Sequence, residues 1–128
     1  MMNNNRFATA INCMDGSVQI PVIEYLKTRY DVDYVDRVTE PGPVLALSQN
    51  IDSAIVESIK TRIEISVFKH HSKFIAVVGH HDCAGNPVDK ETQLKQIHAA
   101  VKTVGAWKYD AQIIGLWVDD SWTVVEVS

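Results

Sequence analysis

Residues Phe74-Ile75-Ala76-Val77-Val78 form an unbroken apolar run that stops at Gly79 and gives way to His80-His81-Asp82-Cys83-Ala84-Gly85-Asn86-Pro87. A short run of this kind, bounded by glycine, predicts a strand buried on both faces, which calls for an open sheet with cover on each side. The carboxyl end of such a strand is where open parallel sheets place their ligands. His80 and Cys83 stand three apart across a tight turn there, and both can aim at one metal ion. Zinc accepts imidazole nitrogen and thiolate sulfur in a tetrahedron.

Two ligands do not complete a site, and the chain has only one other cysteine, Cys13. It ends the run Phe7-Ala8-Thr9-Ala10-Ile11-Asn12 and is followed by Met14-Asp15-Gly16-Ser17. The two segments share one pattern: buried strand, cysteine, acid, glycine. If they are neighbouring parallel strands, Cys13, His80 and Cys83 meet at one edge of the sheet. The competing readings are two buried cysteines beside a satisfied core histidine, or a reversible Cys13–Cys83 disulfide.

At 128 residues the chain is read as one domain, 1–128. A net charge of -4 argues against a nucleic-acid partner, since phosphate-backbone binding is driven by Lys and Arg. No apolar run approaches the ~20 residues that span a bilayer, so no membrane partner is expected. Met1-Met2-Asn3-Asn4-Asn5-Arg6 lacks a signal-peptide layout, which makes a cytoplasmic location the expectation, with the cysteines as thiols or ligands. The Asn3–Asn5 triplet is read as a frayed end.

Periodicity predicts strands over 7–12, 33–38, 74–79, 111–118 and 122–127. Helices are predicted over 20–30, 52–70 and 90–104, with a single helical turn over 44–47. Pro21 suits a first helical turn, Asp52 and Asp89 are N-caps, and Gly105 is a stop. The buried stripes are Val22, Ile23, Leu26 and Tyr30 in the first helix, and Ile55, Val56, Ile59, Ile63 and Val67 in the second. In the third they are Leu94, Ile97, Val101 and Val104. Helices between strands imply right-handed crossovers and a mainly parallel sheet. Asp119-Asp120-Ser121 is short enough to turn the last strand antiparallel. The fold class is therefore α/β, with sheet order 2-1-3-4-5, strand 5 antiparallel and helices on both faces. Cys13 and the His80–Cys83 turn then flank the switch point.

Cys13-Met14-Asp15 followed by Gly79-His80-His81-Asp82-Cys83-Ala84-Gly85 resembles the β-class carbonic anhydrases, over most of the chain from Phe7 to Val127. That family carries Cys-x-Asp-x-Arg after strand 1 and Gly-His-x-x-Cys-Gly after strand 3. The resemblance implies zinc on Cys13, His80 and Cys83 and hydration of carbon dioxide to bicarbonate by zinc-bound hydroxide. Asp15 would be the carboxylate that accepts a hydrogen bond from the reacting solvent. It also implies a homodimer or higher homo-oligomer. The N-terminal helical arm of many members does not precede strand 1 here, so the long helix or strand 2 is expected to serve as interface.

Two departures stand out. Ser17 occupies the arginine position, and Ala84-Gly85 replaces the glycine directly after the cysteine. Serine is short and uncharged, so the expectation is that it cannot restrain Asp15, which then swings in as a fourth ligand and closes the site. Alternatively Arg37, at the end of strand 2, supplies the missing cation. The functional readings are accordingly a zinc lyase acting on carbon dioxide, a hydrolase of carbonyl sulfide or carbon disulfide, or a catalytically silent zinc-binding homologue. His81 and Asp82 are read as loop residues, with a proton-shuttle role for His81 as the alternative. His70 and His71 are read as favourable to a helix dipole, His98 as a core-edge residue, and Trp107, Trp117 and Trp122 as packing.

Overall fold

The computed structural model describes residues 5–128. Of the Asn3–Asn5 triplet, Asn3 and Asn4 lie outside the described residues. Five strands, β1 (Phe7–Cys13), β2 (Tyr34–Glu40), β3 (Phe74–His80), β4 (Gln112–Val118) and β5 (Val124–Glu126), form one sheet of order β2-β1-β3-β4-β5. The first four are parallel and β5 is antiparallel to β4. The sequence-based topology holds throughout. No helix among the described residues is long and apolar enough to cross a membrane.

β1 and β3 are buried along almost their whole length, as the unbroken apolar run of β3 requires; in β1 the buried Thr9 hydroxyl is bonded to that of Ser66. Each face has its own core. On one, α1 (Gln19–Tyr30) sets Val22 and Leu26 against Ala8, Ala10, Ala76, Val78 and Leu116. On the other, α2 (Pro43–Gln49), α3 (Ser53–Glu64) and α4 (Lys90–Gly105) bury Leu47, Ile59, Ile63 and Ile97 against Ile11, Ile75 and Val77. The alanines of β1 let α1 approach closely, while the larger side chains opposite fill the space under three helices. Burying each Leu or Ile stabilises the fold by ~1.5–3 kcal/mol.

Several details differ from the sequence reading. The predicted turn at 44–47 is a full helix, because Pro43 begins it and Asn50 closes it in the left-handed conformation with its N–H on the Ala46 carbonyl. The long helix does start at Asp52, whose carboxylate accepts from the Ile55 N–H. It passes into a π-helical turn at Ile65–Lys69, which rotates the apolar stripe. Ile55 falls off that stripe and is 39% exposed. Gly105 is the last residue of α4 rather than a left-handed stop; that conformation is taken by Lys108. Strand 5 is shorter than expected, because Asp119 accepts from the N–H groups of Ser121 and Thr123 and holds Trp122 outside the ladder. His98 points to solvent rather than to the core edge.

Candidate metal centre

β1 and β3 are neighbours, so Cys13 and the turn after His80 lie at the same carboxyl edge. The Cys13 and Cys83 sulfurs and a ring nitrogen of His80 all lie within 4.8 Å of one another, and all three residues are buried. Both cysteines are free, with their sulfurs 3.8 Å apart. That is the edge, ~3.8 Å, of a tetrahedron with zinc–sulfur bonds of ~2.3 Å.

The histidine is prepared for the same geometry. His80 Nδ1 lies 2.7 Å from the His81 carbonyl oxygen, so Nδ1 carries the hydrogen and donates it. Nε2 then presents a lone pair, and it is buried without a hydrogen-bond partner. His81 Nδ1 and Trp117 Nε1 are likewise buried and unpaired, but neither belongs to the sulfur–nitrogen cluster. Burial, and after it the neighbouring Cys13 sulfur, push the Cys83 thiol up to about 11. A dication between the two sulfurs offsets both causes. An orphaned imidazole lone pair and two crowded buried sulfurs fit a zinc ion.

Asp15 is not part of the cluster. Its Oδ1 accepts from the Ser17 backbone N–H at 2.9 Å and from the Ser17 hydroxyl at 2.8 Å, and it caps the 3-10 turn Gly16–Val18. These two bonds, backbone first, hold the Asp15 carboxyl below its usual pKa. The expectation that serine is too short to restrain Asp15 is therefore corrected. A serine two residues on reaches the carboxylate within a local Asx turn. Arg37 does not reach Asp15 directly; its Nη1 lies 3.4 Å from Gln19 Oε1.

Two further residues escaped the sequence reading. Gln19 donates from Nε2 to the carbonyls of Cys13, at 2.7 Å, and Asp15, at 2.8 Å. Gln93, buried in α4, donates to the His80 carbonyl at 2.6 Å. A lone glutamine at a helix start carries no signal, whereas Gln93 sits four residues before Ile97, in line with the inward stripe.

The remaining candidates lie elsewhere. His70 pairs with Asp36 and stacks on Phe7, at the opposite end of β1. Trp117 is a core residue; Trp107 is half-buried under Lys60. Trp122 is exposed, with its ring roughly perpendicular to that of His81. His81 ties the turn to β4 through its N–H on the Val118 carbonyl, as a loop residue would.

Residues 3–128 match a family model described as "Putative carbonic anhydrase". The chain belongs to that family. Among solved structures it is similar to the β-carbonic anhydrase CafA of the fungal pathogen Aspergillus fumigatus, with a TM-score of 0.53 at 15% identity, covering 97% of this chain and 76% of that one. It is also similar to a tetrameric β-carbonic anhydrase of the filamentous ascomycete Sordaria macrospora, with a TM-score of 0.50 at 14% identity, covering 97% of this chain and 81% of that one. At these identities the likeness is one of fold, and the fold is that of the β-carbonic anhydrases. No curated protein matches the sequence.

Proposed function

We propose that the protein is a zinc-dependent carbonic anhydrase that hydrates carbon dioxide to bicarbonate, with Cys13, His80 and Cys83 as its metal ligands. The observation that carries this reading is the convergence of two buried sulfurs with an unpaired imidazole nitrogen at the switch point of the sheet. Zinc bound there would supply a Lewis acid that brings the pKa of water towards neutrality.

The chain's own residues do the rest. Ser17 holds the Asp15 carboxylate in a local turn, apart from the three-residue cluster, and a metal held by Cys13, His80 and Cys83 would then have three protein ligands, the number used by catalytic zinc sites. With Oδ1 engaged twice, the other oxygen of Asp15 is left to accept a hydrogen bond from the reacting water. The depressed pKa keeps that carboxylate ionised, hence acceptor-only, through the neutral range. The His81 carbonyl fixes the imidazole orientation.

Two free cysteines support a reducing, cytoplasmic setting. We also infer a homo-oligomer. The Sordaria relative is tetrameric, and Ile55, Ile65 and Phe68 are exposed along α3 and its π-turn.

Stopped-flow hydration of carbon dioxide by the zinc-loaded protein tests the activity. Rapid hydration that falls when Asp15→Asn is introduced is the expected result. Stoichiometric zinc with no hydration would instead favour a silent zinc-binding homologue, and carbonyl sulfide or carbon disulfide turnover without hydration would reassign the substrate.

A further inference from the structure

The segment Cys13-Met14-Asp15 carries a proposed ligand and the proposed reacting carboxylate, one residue apart. Its geometry is set by few contacts. Asn12 Oδ1 accepts from the Cys13 N–H at 2.9 Å, and the Met14 N–H donates to the Glu40 carbonyl at 3.0 Å. The Cys13 and Asp15 carbonyls both accept from one group, the carboxamide nitrogen of Gln19. An NH2 group has two hydrogens, and here each goes to a different carbonyl, one on either side of Met14. Rotating the amide by half a turn would face an oxygen to two oxygens, so only one orientation is tolerated. Its Oε1 then points away, towards the Arg37 guanidinium.

We propose that Gln19 is a positioning residue of the site: its carboxamide staples Cys13 to Asp15, and Arg37 fixes the way the amide faces. This rests on the zinc reading above and deepens it. Ser17 aims the carboxylate of Asp15, while Gln19 ties the backbone of the carboxylate to the backbone of the thiolate. Two residues thus act on this segment, Ser17 on the side chain of Asp15 and Gln19 on the main chain. Arg37 contributes at one remove, through Gln19.

The test uses Gln19→Met, which keeps length and helix propensity but removes both donors. In metal-free protein, hydrogen exchange at the Met14 and Ser17 amides is expected to speed up at least ~10-fold through local opening, while core amides of β3 keep their protection. In metal-loaded protein, competition with a chromophoric chelator is expected to show zinc held ~10- to 100-fold more weakly, as for other residues that orient ligands. The visible bands of the cobalt(II)-substituted variant are expected to shift with the altered ligand geometry. Arg37→Met moves all three readouts in the same direction and by less, and it serves if Gln19→Met does not fold. Unchanged exchange at Met14 and Ser17, or zinc affinity equal to wild type, overturns the role of Gln19. A wild-type protein that takes no zinc sinks the functional reading instead, and the exchange measurement still decides the staple by itself.

Discussion

Cys13 leaves β1 inside a web of side-chain hydrogen bonds from Asn12, Ser17 and Gln19, whereas Cys83 sits in a turn held largely by backbone packing. In the second arm, Gly85 lies so close to Pro41 and Gly42 that an added Cβ would come within 2.7 Å of the Pro41 carbonyl carbon. Gly42 itself has φ +59 and faces the Gly85 main chain. Two loops thus meet main chain to main chain, and Asn86, buried and bonded to Gln96, closes the turn over Cys83 through its N–H on the Cys83 carbonyl. The difference teaches how one site tolerates divergence. The β1 arm is adjustable, because its contacts are made by polar side chains that can be exchanged for others. The β3 arm is not, because main chains in contact leave no room for a side chain. On the β1 arm the Ser17 hydroxyl makes such a contact, to the Asp15 carboxylate.

Cys83→Ser and Cys13→Ser each remove one of the two sulfurs, and elemental analysis is expected to find zinc lost from both, whichever arm is cut. Gly85→Ala is expected to destabilise by ~2–3 kcal/mol in denaturant unfolding, the upper part of the overpacking range, because the nearest atoms are backbone. A cost below ~0.5 kcal/mol would mean that the second arm yields as readily as the first. Gln93→Met leaves the buried His80 carbonyl without its donor and is expected to cost ~1–2 kcal/mol in the same measurement.

Ser17→Ala has the smallest effect on stability, under ~0.5 kcal/mol at neutral pH, since the residue is exposed. Its signature is in the titration. A depressed folded pKa means that Asp15 contributes stability above its unfolded value, ~3.9, and loses it as pH falls through the folded value. Removing the hydroxyl takes away one of the two bonds. NMR titration of the metal-free protein should then show the Asp15 carboxyl moving up towards its ordinary pKa, and acid unfolding below about pH 4 should lose part of its dependence on this group. An Asp15 titration unaltered by Ser17→Ala would return the restraint of the carboxylate to some other group.

The sheet order was legible because two segments repeat the same pattern of apolar run, ligand and turn, and only adjacent strands bring them together. The capping aspartates were legible for the same local reason, since Asp52 and Asp89 each bond an N–H three residues on. The π-turn at Ile65–Lys69 was not, because an apolar stripe that drifts by one residue reads as continued helix. Strand 5 was overextended because Trp122 and Thr123 suit a strand, while the Asp119 turn that keeps Trp122 outside the ladder is a side-chain effect. At the site, Cys13, His80 and Cys83 announce their chemistry by residue type. Ser17 has neither charge nor length to mark it in a sequence, and an Asp-x-Ser turn needs neither. Gln19 acts through two carbonyls, and carbonyls leave no mark in a sequence.

X-ray absorption at the zinc edge of the purified, metal-replete protein tests the central claim most directly. The account predicts one zinc per chain with two sulfurs at ~2.3 Å and nitrogen or oxygen completing four ligands. A protein that retains no zinc, or a shell with fewer than two sulfurs, would contradict it.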